Sequence, residues 1–208
     1  MWILNQPLET IISVFIAFIF ALTIHEFSHA LAATQFGDDT PRLQGRLTLN
    51  PLAHLDLMGS LMFVMFGFGW ARPVQINPYT IQRRSPAGPM IVAAAGPFSN
   101  LLLALLASIP VRAGLVSLSA FLSQFFVVFI WINLILMFFN LLPIFPLDGE
   151  KILEYFLPPR GQEILFQIRP YGTYILLGLI IIGRFGFINI FDLLVMKPAE
   201  SIMELLVL

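Results

Sequence analysis

The chain has 208 residues, 58% of them hydrophobic and 11% charged, against roughly 25% charged in an average soluble domain. A mean hydropathy of +0.88 makes it an integral membrane protein, and the net charge of −1 argues against nucleic acid as a partner. It has no cysteine, so disulfides, thiolate metal ligands and a cysteine nucleophile are excluded.

The first apolar run, Leu8 to Phe36, has no basic flank before it and reads as a retained span rather than a cleaved signal. A helix over about Glu9 to Gln35 is long enough to cross roughly 30 Å of hydrocarbon. Inside it lies His25-Glu26-Phe27-Ser28-His29. Ionisable residues at membrane depth are costly and mark a functional site by default. On a helix the two imidazoles at i and i+4 share one face and can bind one metal ion. Glu26 lies about 100° around, within reach of a water held by that metal, which is the H-E-x-x-H pattern of zinc hydrolases. The plainer reading is a buried polar cluster that only packs helices. It is disfavoured because the chain has three histidines and spends two of them here. Alanines at 21, 30, 32 and 33 leave room for close helix neighbours.

Pro41 to Gly88 is less regular and carries Arg42, Arg46, Arg72, Arg83 and Arg84. Alternation from Leu43 to Leu49 predicts a strand, and Val74 with Ile76 a second, giving a small β-sheet in which the Leu43–Leu49 strand could receive an extended substrate by edge pairing. Leu57 to Gly69 is apolar over only about 13 residues and reads as a re-entrant or interfacial segment; a full crossing would put Arg46 and Arg72 on opposite sides. Met90 to Pro110 is the second span, interrupted by Gly96-Pro97-Phe98-Ser99-Asn100, which should face protein or a wet cavity. Phe121 to Phe145 is the third, with Asn133 and Asn140 inside it and Asp148-Gly149 just beyond. Glu150 to Arg169 is polar and amphipathic, broken at Pro158-Pro159. Tyr171 to Met196 is a fourth apolar stretch, broken at Gly183-Arg184-Phe185-Gly186, and the tail from Lys197 reads as interfacial.

The expected fold is an all-α polytopic membrane bundle of about four spans, with a re-entrant segment and the small β-sheet in the first cytoplasmic loop. Residues 1–208 form one domain, with a core at 8–155 and a C-terminal span and tail at 171–208. The arginine-rich loop 36–87 and the basic segment 147–170 should be cytoplasmic. The first and third spans then both run inward, so His29 and Asp148 reach the same depth. Catalytic zinc takes three protein ligands and an open position. Beside His25 and His29 the candidates are Asp148, His54, Asp56 and Asp192, with Asp148 best placed unless it serves only as a turn residue.

His25-Glu26-Phe27-Ser28-His29, Gly96-Pro97-Phe98-Ser99-Asn100 and the run from Asn140 to Gly149 resemble the three signature segments of the site-2 protease family of intramembrane zinc metalloproteases. Arg46 to Asp56 resembles the short prokaryotic members, which lack a PDZ domain. The resemblance runs from about residue 20 to 155. It implies that His25, His29 and Asp148 bind zinc and that Glu26 is the general base. It also implies that Asn140 helps hold the substrate carbonyl or the active-site backbone, and Asn100 and His54 are further candidate substrate-side residues. The expected partners are a transmembrane protein or peptide substrate and the lipid bilayer, in a prokaryotic plasma membrane. Competing readings are a divalent-metal transporter or sensor, whose ligands would spread along a path through the bilayer, and an inactive homologue that binds membrane partners.

Overall fold

The computed structural model describes residues 6–184 and 190–207. Its helices are α1 (Leu8–Gln35), α2 (Thr40–Leu43), α3 (Leu57–Phe66), α4 (Pro78–Arg84), α5 (Gly88–Arg112), α6 (Ala120–Asn140), α7 (Asp148–Phe156), α8 (Pro159–Ile168), α9 (Gly172–Arg184) and α10 (Lys197–Val207). Four stretches are long and apolar enough to cross a membrane: α1, α5, α6 and Pro159–Ile182. The fourth begins before the expected Tyr171 because α8 continues through the tight turn Arg169–Tyr171 into α9. Residues 185 and 186 of the expected break lie outside the described residues.

The centre of the fold is the α1–α5–α6 bundle, and its directions follow from the contacts. Thr10 and Gln124 meet at one end, 2.5 Å apart, and His29 meets Asp148 at the other, so α1 and α6 run parallel. Asn100 bonds to the Ala21 carbonyl while Val92 bonds to His29, so α5 runs antiparallel to α1. Small residues permit the close approach: Ala17, Ala21, Ala30 and Ala33 are fully buried. Lipid is as apolar as leucine, so such helices are held by dispersion contacts and interhelical hydrogen bonds, each worth about 0.6 kcal/mol. The Asn100 amide donates to the Ala21 carbonyl (3.2 Å) and to Asn133 Oδ1 (2.9 Å), which ties the three helices together.

The segment 54–72 forms a hairpin that leaves the bundle end and returns to it. Asp56 opens α3 by accepting from the Gly59 N–H at 2.8 Å, and Gly67 ends it with φ +76°, a conformation glycine adopts without strain. The returning backbone lies so close that a Cβ at Gly59 would sit 2.1 Å from the Trp70 carbonyl oxygen. Phe63 stacks on Phe18 of α1 with ring centroids 3.6 Å apart. An antiparallel bridge between Leu55 and Ala71 and a 2.8 Å bond from Arg72 N–H to the His54 carbonyl join the two feet. Arg46 and Arg72 therefore lie together, as a re-entrant segment requires.

The expected β-sheet is not formed: among the described residues the only β-pairing is the Leu55–Ala71 bridge. Leu43 ends α2, and Gly45 turns the chain with φ +67°. Burial runs opposite to the alternation, since Arg46 is 4% exposed whereas Leu43 is 85% and Leu49 57% exposed. Arg46 turns inward because its guanidinium finds backbone carbonyls there. Val74 and Ile76 do lie in extended chain, but the Val74 and Asn77 N–H groups go to the carboxylates of Glu26 and Asp38 rather than to a neighbouring strand.

α10 lies along α5 and α6, with Ala199 fully buried against Ala104, Ala107, Ile130 and Leu134. Ile202, Met203 and Leu206 extend the same contact, and Arg112 of α5 donates to the Leu205 carbonyl at 3.0 Å.

Candidate metal centre

His25 and His29 stand one turn apart on α1, and both rings point at α5. The His25 Nδ1–H donates to Asn100 Oδ1 at 2.7 Å, and the His29 Nδ1–H donates to the Val92 carbonyl at 2.7 Å. Because the Asn100 amide nitrogen is already committed to the Ala21 carbonyl and Asn133, its oxygen must face His25. In the neutral rings both Nδ1 atoms are donors, so both Nε2 atoms carry lone pairs.

The third group arrives from α7. Asp148 is the first residue of that helix, where the exposed N–H groups and helix dipole favour a carboxylate. Gly149 lets α7 begin beside the end of α6, for a Cβ there would lie 2.2 Å from the Leu141 carbonyl oxygen. The two Nε2 atoms are 3.1 Å apart, and Asp148 Oδ2 is 3.2 Å from that of His25 and 3.3 Å from that of His29.

With both rings neutral, three lone-pair atoms at these separations repel one another unless a cation lies among them. Asp148 Oδ2 is buried without a hydrogen-bond partner. Tetrahedral ligands about 2.0–2.1 Å from zinc stand about 3.3–3.4 Å apart, and the triangle is within about 0.2 Å of that. His25, His29 and Asp148 thus fit zinc as a three-ligand set. Glu26 is 8% exposed and its Oε2 accepts from the Val74 N–H at 3.1 Å, so the extended segment after the hairpin holds its carboxylate.

The remaining sequence candidates take other places. Asn100 is fully buried behind His25 and orients that ring. His54 is also fully buried, its Nε2–H donating to the Thr48 carbonyl at 2.8 Å, which braces the loop. Asp56 is the cap of α3, and Asp192 opens the turn Asp192–Met196; neither joins the ligand group. Asn140 is half-buried and donates to the Leu136 carbonyl at 2.9 Å.

Sequence reading missed three contributors. Gly96 is one: a Cβ there would lie 2.4 Å from His29 Nε2 and 2.6 Å from His25 Nε2. Its place beside Pro97 signalled a break in the span but not the imidazoles on the facing helix. Glu150 is another, 1% exposed, receiving hydrogen bonds from Arg169 that tie the start of α7 to the turn before α9. Asn133, noted only as a polar residue inside a span, fixes the Asn100 amide.

The family described as Peptidase family M50 matches residues 108–183, a stretch that includes Asp148. A Bacillus subtilis (strain 168) protein named "Putative zinc metalloprotease YwhC" is 42% identical over 185 residues, 86% of this chain and 84% of its own. Two proteins of the same description, both named Rip2, come from Mycolicibacterium smegmatis and Mycobacterium tuberculosis (H37Rv). They are 34% and 32% identical, over 82% and 83% of this chain and 67% and 69% of their own. No solved structure gives a significant match.

Proposed function

The chain belongs to peptidase family M50 and is a zinc metalloprotease with membrane-spanning helices, and from that premise we propose that it cleaves membrane-spanning substrate proteins within the bilayer of a prokaryotic cell membrane. His25, His29 and Asp148 hold the zinc, and Glu26 is the general base. The observation that carries this reading is the triangle of Nε2, Nε2 and carboxylate oxygen, all within 3.3 Å of one another, with a buried glutamate next to it in sequence.

When bound, zinc supplies a Lewis acid for the scissile carbonyl and makes water acidic enough to react near neutral pH. The residues of the chain do the rest. Asn100 and the Val92 carbonyl fix the ring orientations. Val74 holds one Glu26 oxygen, leaving the other to take the proton of the attacking water and pass it to the departing amine.

A transmembrane helix must open before such a site can reach its peptide bonds, because its own hydrogen bonds shield them. The extended stretch Arg72–Asn77 beside Glu26 is the element placed to receive the opened chain. The backbone N–H groups of Gln75 and Ile76 have no backbone partner among the described residues, so a substrate strand can pair there. Arg46 and Arg72 at the hairpin feet mark this end of the bundle as cytoplasmic.

The test is cleavage of a single-span peptide by the purified protein in liposomes. Glu26→Gln is expected to keep zinc and lose cleavage by about 100-fold or more. Zinc flux without cleavage would instead assign the ligands to transport.

A further inference from the structure

Resting on the reading of Glu26 as the base, we propose that Arg46 is the positioning residue that sets the Glu26 carboxylate. Arg46 lies in the loop between α2 and α3 and is 4% exposed. Among the described residues no carboxylate is bonded to it; its guanidinium is spread over three backbone carbonyls. Nη1 donates to the Ala53 carbonyl, and Nη2 donates to the carbonyls of Arg72 at 2.6 Å and Pro73 at 2.8 Å. Ala53 precedes the re-entrant hairpin, and Arg72 with Pro73 follows it, so one side chain joins both feet.

The next residue along the returning foot is Val74, whose N–H grips Glu26 Oε2 at 3.1 Å. The link from Arg46 to the base therefore runs through one peptide unit, Pro73–Val74, gripped by Arg46 at the residue before the amide that meets Glu26. Pro73 adds stiffness by fixing its own φ. His54 braces the loop from the other side through its bond to the Thr48 carbonyl, so Arg46 is held as well as holding. A guanidinium suits the task because its planar, permanently charged fork serves several acceptors at once, which an ammonium at the end of a flexible stem does not. Burial lowers the Arg46 pKa, the Glu26 charge counteracts this, and the Arg72 charge lowers it further.

The experiment is a kinetic double-mutant cycle in the full-length, zinc-loaded protein, using Arg46→Met and Val74→Pro, the latter removing the gripping N–H. Arg46→Met is expected to lower kcat by about 10–100-fold, more than any rise in KM from loosening the substrate-pairing segment 72–77, because a misplaced base costs the transition state. Zinc content should stay at one per chain, and amide exchange in the 71–77 peptide should speed up. In the Val74→Pro background, Arg46→Met should cost less than about twofold more, since both act through one contact. Arg46→Lys, a milder change, should retain most of the kcat defect if the fork matters and not the charge alone. An unchanged kcat, a change confined to KM, loss of zinc in both Arg46 variants, or fully additive effects with Val74→Pro would each overturn the proposal. Glu26→Gln separates the two levels: full cleavage by that variant removes the base assignment itself, whereas an inactive Glu26→Gln beside a wild-type Arg46→Met removes the role of Arg46 alone.

Discussion

Replacing Gly96 with alanine should severely weaken metal binding while leaving the fold in place. The added methyl would sit 2.4 Å from His29 Nε2 and 2.6 Å from both Cε1 and Nε2 of His25, about 1 Å closer than the ~3.5 Å at which such atoms rest. The rings cannot simply swing away, because each is pinned through Nδ1, His25 to Asn100 and His29 to Val92. Either those bonds break or α5 retreats by about 1 Å, several times the ~0.2 Å tolerance of a metal site. Overpacking of this kind costs about 1–3 kcal/mol of stability, and opening the ligand triangle should weaken zinc binding by at least ~100-fold. The assay is zinc per chain after dialysis against a calibrated zinc buffer, with cleavage measured in parallel. Gly178→Ala is the control, since a Cβ there meets nothing within 4 Å, and it should behave as wild type. A Gly96→Ala protein that keeps full zinc affinity and activity would refute the placement of α5 against the imidazoles.

Other perturbations follow from the same contacts. Asn100→Leu removes the acceptor for His25 Nδ1 and should lower zinc affinity by about 10–100-fold, read by competition with a chelating dye. Asp148→Asn weakens the anionic ligand and should leave sub-stoichiometric zinc by elemental analysis, with His25 and His29 still in place. Removing the metal with 1,10-phenanthroline should stop cleavage, and added zinc should restore it; activity that survives complete chelation would exclude the three-ligand site as the catalytic centre. Glu150→Ala leaves Arg169 without its main partner, and because Arg169 is partly solvated the cost should be about 2 kcal/mol rather than the 3–5 of a fully buried pair. It should appear as a lower unfolding midpoint in detergent.

Two properties of this protein were determined by local sequence. The run from Leu8 to Gln35 is apolar enough to be a helix wherever it is placed, and once it is helical the spacing of His25 and His29 puts both rings on one face. The short Leu57–Gly69 segment and the arginines on both sides of it likewise demanded a return to the same surface. Asp148 was legible because it follows directly on the span that ends near Asn140. The tertiary structure decided whatever depends on a partner far away in the chain. A period of two in Leu43–Leu49 is compatible with a strand, yet a strand needs a neighbour. Here Arg46 gains more from three carbonyls than the backbone could from an absent ladder. Asn100, Gly96 and Val74 have roles only because α5 and the returning foot of the hairpin lie against α1, and no local pattern encodes which side chain faces another across a helix–helix contact.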